Sequence, residues 1–392
     1  MRRRNFVVAC VALLCLPVLR AALGAEDIKV GVTVSLSGRY AAPARDQFEG
    51  IEMWASDLNA RGALLGRKVR IVHYDDQSDP RKSAQLYQRL INEDQVELLL
   101  GPYSSELTLA ASDVAEKYGI PMVATGAASS EIWSRGYRNI FQVDAPAQKY
   151  MDVVLDFANA KGLRRIALVY ANDDFPREVA DGVRAKAAQN GMEIVFDEEY
   201  DPNSQDFRKR VQRMQASEPE IVLGGTYLED SVALVKNAKG QRLAPKILAF
   251  TVGPALAEFG RTLGPDAEGV MGVVAWMPSA RLPKAQDFSY RYKRKFGHDA
   301  GVHAAYGYGA GQVLEAAVRL AGSLDKDKIR EQLRTMKFRS LLGRYAVDET
   351  GKQIAKSVYA MQWQDGNRAV VLPDQVAEAP VEYPFKPPWS QR

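Results

Sequence analysis

From Ile28 to Phe250 the chain alternates short apolar runs with segments whose apolar residues recur at helical spacing, and it does so in two successive series. The first series reads as strands at Val30–Val34, Val69–Tyr74, Leu98–Leu100 and Pro121–Ala124, with helices near Arg45–Arg61, Pro80–Asn92 and Glu106–Tyr118. The second starts after Ile140–Val143. It places helices at Lys149–Lys161, Arg177–Asn190, Phe207–Ser217 and Leu228–Lys239 among strands at Arg165–Ala171, Ile194–Tyr200, Ile221–Gly225 and Ile247–Phe250. Strands joined by helices in this way belong to mostly parallel sheets covered on both faces. The fold class is therefore α/β, with two sheets in succession. A strand at Val270–Met277 and helices near Lys284–Phe296, His303–Ala321 and Lys326–Met336 follow.

The first 25 residues do not belong to that pattern. Arg2-Arg3-Arg4, the apolar FVVACVALLCLPVL and the small residues AALGA have the layout of a cleaved secretory signal, with the cut expected near Ala25-Glu26. Pro17 and Arg20 interrupt the apolar run too early for a membrane span. Arg3-Arg4-Asn5-Phe6 resembles a twin-arginine signal, so the Sec and twin-arginine routes both stay open; too little apolar sequence precedes Cys10 for a lipidation box. Removing this segment takes away Arg2, Arg3, Arg4 and Arg20 and leaves basic and acidic residues equal at 48, so the basic balance of the whole chain implies nothing about partners. Without a basic patch interleaved with aromatics, no nucleic-acid partner is expected. Cys10 and Cys15 also leave, which removes disulfides, thiol nucleophiles and thiolate metal sites from the remainder. About 367 residues remain, a length that fits two domains.

The densest signal for a site runs from Val96 to Trp133. Leu98–Leu100 ends at Gly101-Pro102, and Ser104-Ser105 opens the following helix. After the next strand comes a second loop of small residues, Thr125-Gly126-Ala127-Ala128-Ser129. Two such loops at neighbouring strand ends make one site. The first amides of a helix lack internal partners and carry its positive end, which suits a ligand carboxylate. The same serines also suit a helix cap, and both roles stay open. Catalytic constellations are missing from the pattern. His73, His298 and His303 are scattered without metal-ligand spacing, no HExxH, GxSxG or GxxxxGK[ST] occurs, and Asp75-Asp76 reads as a hydrogen-bonded loop. The glycines of Gly307-Tyr308-Gly309-Ala310-Gly311 lack dinucleotide spacing and suit close helix packing instead.

These loops, with IKVGVTVSLSG at Ile28–Gly38, FEGIEMWASDLNARGALLGRKV, HYDDQSDPRKS at His73–Ser83 and the tail PFKPPWSQR, resemble the leucine/isoleucine/valine-binding family of periplasmic receptors for ABC importers. The resemblance covers nearly all of the chain after the signal. It implies a two-lobed type I periplasmic-binding-protein fold with a three-segment hinge near Ala145, Trp276 and Val347–Gly351. The lobes would be 26–145 plus 275–348 and 146–274 plus 349–392. It further implies a periplasmic monomer that captures a small carboxylate-bearing solute, an amino acid or an aromatic or aliphatic acid, and passes it to an ABC permease in the inner membrane. A receptor of the same fold that presents its closed form to a chemoreceptor or kinase is the alternative. No enzyme activity, cofactor or metal is implied.

Residue by residue, the resemblance assigns the ligand to Tyr103, Ser104, Ser105, Gly126, Ala127 and Ala128 in the first lobe and to Phe175, Thr226, Tyr227 and Thr251 in the second. Departures are informative. Ala128 stands where a carboxylate-binding threonine is common, leaving backbone amides or Ser129 to compensate. Pro43 replaces an aromatic, and Ser78 and Ser104 stand where a disulfide is often found. Arg45 has two readings, a carboxylate partner or a solvated residue of the first helical turn. Thr251 occupies the place of the glutamate that pairs with an α-ammonium. Unless Glu229, Asp230, Asp173 or Asp174 replaces it, the ligand lacks an amine, because an unpaired buried ammonium costs several kcal/mol. Trp276, Tyr306 and Tyr308 are further aromatics with either a core or a site role.

Overall fold

The computed structural model describes residues 26–387 apart from 205, 280, 281 and 283, and also residue 389. The expected export segment lies outside the described residues. Among the described residues no helix is long and apolar enough to cross a membrane.

The first sheet holds β1 (Ile28–Val34), β2 (Val69–Asp75), β3 (Leu98–Leu100), β4 (Met122–Ala124) and β5 (Ile140–Gln142), all parallel, in the order β2-β1-β3-β4-β5. Its helices are α1 (Ala41–Ala60), α2 (Pro80–Asn92), α3 (Ser105–Tyr118) and the short α4 (Glu131–Ser134), one after each of β1 to β4. Local chemistry sets their ends. Asp79 caps α2 through the amides of Arg81 and Lys82, with Pro80 in the first turn, and α3 ends on the left-handed Gly119.

The second series runs α5 (Asp152–Ala160), β6 (Arg165–Ala171), α6 (Asp174–Gln189), β7 (Glu193–Tyr200), α7 (Arg208–Ala216), β8 (Ile221–Gly225), α8 (Leu228–Gln241), β9 (Ile247–Phe250), α9 (Ala257–Leu263) and β10 (Met271–Val274). Then come α10 (Ala285–Phe296), α11 (Val302–Ala321), α12 (Lys326–Thr335), the hairpin β11 (Phe338–Ser340) with β12 (Gly343–Tyr345), β13 (Tyr359–Gln364) and β14 (Asn367–Leu372). The second sheet is ordered β14-β13-β10-β9-β8-β6-β7. It is parallel except where β13 meets β10 and β14 meets β13. In each sheet the first strand of its series, β1 or β6, lies between the second and the third, so the chain switches direction there. Crevices at the carboxyl ends of strands beside such a switch are where ligands of open α/β sheets bind.

The two βα series of the sequence are present as two sheets. Two stretches differ from the reading above. Lys149–Lys161 is not one helix: a 3₁₀ turn at Ala147–Lys149 precedes α5, which starts at Asp152. The Tyr150 hydroxyl is held by Asp144, and the Ala147 amide donates to the Ala128 carbonyl, which together fix that turn against the first sheet. Beyond residue 337 the chain forms four strands that helical periodicity did not announce.

Helix α11 crosses α1 at van der Waals distance because glycines face the contact. A Cβ on Gly307 would lie 1.9 Å from the Gln47 carbonyl oxygen, and one on Gly50 would lie 2.0 Å from that of Ala304. The glycine run of 307–311 is therefore a packing device, as its position within α11 had suggested.

Candidate functional site

Loops from both sheets enclose a cavity with about 460 Å³ of atom-free space, counted out to its mouth. Only about 40 Å³ of that space admits the centre of a water-sized sphere, so the cavity as it stands is tight. From the expected positions, Tyr103, Ser104, Ser105, Gly126, Ala128, Phe175, Tyr227 and Thr251 line it. Ala127 and Thr226 do not: the Ala127 carbonyl accepts from Gln142 Nε2 at 3.3 Å, and the Thr226 amide donates to Thr251 Oγ1 at 2.9 Å.

The two serines have separate roles. Ser104 is the N-cap of α3, its Oγ accepting from the Leu107 amide at 3.3 Å. It holds φ at 112°, a conformation that costs a side-chain-bearing residue about 1–3 kcal/mol and occurs preferentially at binding loops. Ser105 Oγ accepts from the amides of Ala128 and Ser129, at 3.0 Å each, and so ties the second small-residue loop to the start of α3. Its own proton remains for a ligand. The amide of Ala128 and the hydroxyl of Ser129, the groups expected to compensate for the missing threonine, are engaged within the protein, the latter with Glu178 Oε1 at 2.7 Å.

Thr251 is a clasp. Its hydroxyl donates to the Thr226 carbonyl at 2.7 Å and accepts from the Thr226 amide at 2.9 Å, which locks the loops after β8 and β9 together. The hydroxyl proton is thereby spent. None of the acids considered as substitutes for a glutamate lines the cavity. Asp173 pairs with Arg39 at 2.7 Å, Asp230 lies 3.8 Å from the same guanidinium, and Glu229 is exposed.

The acid that does line the cavity is Asp144, just past β5 and 3 % exposed. Its Oδ1 accepts from the Tyr306 hydroxyl and the Ala145 amide, each at 2.6 Å, and its Oδ2 accepts from the Tyr150 hydroxyl at 2.7 Å. Burial pushes its pKa up, against those hydrogen bonds and the field of Lys356; burial pushes Lys356 down. His303 lines the same wall, stacked edge-on against Tyr103 with centroids 5.0 Å apart. Its Nδ1 is buried without a partner, and burial lowers its pKa to about 3, so the ring is neutral.

Aromatic rings close the rest. Phe175 stacks edge-on with Tyr150 at 5.0 Å and lies 6.2 Å from Tyr227. Tyr306 lines the cavity, whereas Trp276 packs on Phe288 and Tyr308 bonds to Asp57. Outside the cavity Arg39, in the loop after β1, reaches across to the second sheet's loops. It forms the Asp173 pair and lies 4.7 Å above the Tyr227 ring. Burial alone would lower its pKa, but Tyr40, Asp173, Tyr227 and Asp230 together raise it. Arg45 is exposed on α1, the solvated reading.

Asp144, Tyr150 and His303 line the cavity and were not among the expected site residues. Asp144 had a signal: it is an acid set between the buried run Ile140–Val143 and Pro146, at the same strand-end position as the other site loops. Among the described residues one group has metal-ligand proximity, Asp46, Glu49 and His298, with ligand atoms within 4.8 Å of one another. None of the three lines the cavity, and Glu49 and His298 already pair at 3.1 Å.

The profile of the periplasmic binding protein family matches residues 27–368. The Leu/Ile/Val-binding protein homolog 7 of Brucella abortus is 25 % identical over 385 residues, covering 93 % of this chain and 96 % of that protein. A leucine binding protein from Thermotoga maritima superposes with a TM-score of 0.81 at 24 % identity, over 89 % of this chain and 99 % of that one. A solute binding protein of an ABC transporter from R. palustris, solved in complex with benzoate, superposes with a TM-score of 0.79 at 20 % identity, over 92 % of this chain and 99 % of its own. These two structures share the fold.

Proposed function

The chain belongs to the periplasmic binding protein family, and from that premise we propose that it is the extracytoplasmic receptor of an ABC importer of the branched-chain-amino-acid type. It captures a small carboxylate-bearing solute between its lobes and delivers it to the permease. The lobes are 26–145 with 275–348 and 146–274 with 349–392, and 1–25 is the export signal.

One observation carries the reading: the open end of α3 and the two loops it organises face an enclosed cavity that is completed by aromatic residues from the other sheet. The carboxylate sits at the α3 N-terminus, where the first amides and the Ser105 hydroxyl donate. Phe175 and Tyr227 cover it only when the lobes are together, so the ligand stabilises closure through contacts absent from the open state. Leucine and benzoate, the ligands named for two related structures, are both small carboxylates, which supports the class. The site offers no nucleophile with a paired base, and the bound solute is released unchanged.

The test is mass spectrometry of whatever the purified protein releases on unfolding, followed by thermal titration of that compound. At about a hundred times its dissociation constant it adds roughly 2.7 kcal/mol of stability. A small carboxylate recovered intact, with the expected upward shift in melting temperature, supports the reading. A chemically altered product, or a ligand without a carboxylate, defeats it.

A further inference from the structure

Helix α11 borders two hollows. His303 and Tyr306 line the cleft cavity, whereas Tyr308 and Gln312 of the same helix line a second one, bounded also by the end of α1, by α10 and by β11; the two share no lining residue. In the second, the centre of a water-sized sphere has about 740 Å³ to move in, against about 40 Å³ in the cleft. Small-molecule sites span about 300–1,000 Å³. Its floor is apolar, with Phe288 and Leu341 buried and Phe338 half-buried. Its walls are fixed by polar contacts. Arg291 and the Tyr308 hydroxyl both donate to Asp57 Oδ2, and the Leu341 amide donates to Gln312 Oε1 at 2.7 Å.

The charge around this floor is unbalanced. Arg61, Lys284, Arg291 and Arg339 line the hollow against Asp57 and Asp287, and Arg291 already engages both acids. Arg61 pairs with Glu315 at 3.1 Å. Lys284 and Arg339 are exposed, and among the described residues neither forms an ion pair. Arg339 also stands directly opposite Arg344 across the β11–β12 hairpin, and Arg344 forms no ion pair among the described residues either. Like charges directly opposite destabilise a strand pair, and a bound anion relieves that repulsion.

We propose that this hollow is a second ligand site, separate from the cleft, for a small organic anion with an apolar body. The body, an acyl chain or an aromatic ring, lies against Phe288, Phe338 and Leu341, and the anionic group faces the rim where Lys284 and Arg339 stand. The cations give the preference for negative charge, and the apolar floor gives the preference for a body larger than an inorganic ion.

Calorimetric titration with ions of matched shape and opposite charge tests it: octanoate against octylammonium, and 2-naphthoate against 2-naphthylmethylammonium. At least one anion is expected to bind with a dissociation constant below about a millimolar and about tenfold or more tighter than its cationic counterpart. Both anions are carboxylates that the cleft could also take, so the measurement is repeated in Ser105→Ala, where binding at the second site is expected to be unchanged. Combined Lys284→Glu and Arg339→Glu is expected to weaken that component about tenfold or more. Both side chains are exposed, and melting of the unliganded variant verifies the fold. Ala60→Trp, at the exposed end of α1 on the same wall, narrows the hollow without changing its charge and is expected to weaken the same component. Three results each overturn the proposal: no anion binding that survives Ser105→Ala, cations that bind as tightly as the anions, or an affinity that neither the charge reversal nor Ala60→Trp alters.

Discussion

Ser105 accepts the amides of Ala128 and Ser129 with one hydroxyl, so it builds the site as well as touching it. Ser105→Ala strands two buried donors, each at a cost of about 1–3 kcal/mol, and removes a charge-assisted donor to the ligand carboxylate. The variant is expected to melt several degrees lower even without ligand, and to bind ten- to a hundredfold more weakly, about 1.5–3 kcal/mol. Calorimetry and thermal melting read the two effects separately. An unliganded melting temperature equal to wild type would show that the loop does not depend on this hydroxyl. The serine pair was legible in the sequence because capping and anion binding both draw small hydroxyl residues to a helix start. For Asp144 only the strand-end position was legible: its importance depends on Tyr150 and Tyr306 converging on it, and Tyr306 is 162 positions away. Thr251 was legible as a departure, but its use as a clasp between the loops after β8 and β9 is a tertiary fact.

At the scale of elements, the two βα series could be read from periodicity, since a buried parallel strand and its covering helix each carry their own apolar pattern. The C-terminal strands lack that rhythm. β13 and β14 form a hairpin whose turn, Asp365-Gly366, has both φ angles positive at 50° and 72°. Asp-Gly between two apolar runs is the strongest local hairpin signal, so this pair was available to a reading that looked for turns rather than helices. The α1–α11 contact makes a sharper prediction. Gly307→Ala drives a methyl to 1.9 Å from a backbone carbonyl, where no side chain can rotate away, and is expected to cost about 3 kcal/mol or more. Gly240→Ala, in α8 with nothing within 4 Å of the added Cβ, is expected to be stabilising by about 0.5–1 kcal/mol. Chemical denaturation compares them directly, and similar midpoints for the two variants would rule out close packing as the reason for the glycine run.

The whole molecule is held in its present arrangement by few contacts between the two sheets' loops, and Arg39 makes several of them. Its guanidinium pairs with Asp173, approaches Asp230 and lies over Tyr227, while Tyr40 beside it stacks edge-on with Tyr227 at 5.2 Å. A second bridge runs from Ser129 and the Glu131 amide to Glu178. Neither Arg39 and Asp173 nor Ser129 and Glu178 line the cavity, so under the proposed mechanism they would act on closure rather than on the ligand. A partly exposed ion pair contributes about 0–1 kcal/mol and a cation–π contact about 0.5–2 kcal/mol. Because the apparent dissociation constant is the intrinsic one divided by the closed fraction, Arg39→Met, which keeps the stem and removes the charge, is expected to weaken ligand binding about tenfold. The cavity lining is untouched, so relative affinities across a series of ligands should stay the same while all fall together. Small-angle scattering should show the unliganded variant at a larger radius of gyration than wild type, with saturating ligand restoring the compact value. Selective loss of one ligand would place Arg39 in the site instead, and unchanged affinity with unchanged scattering would mean that closure does not draw on this cation.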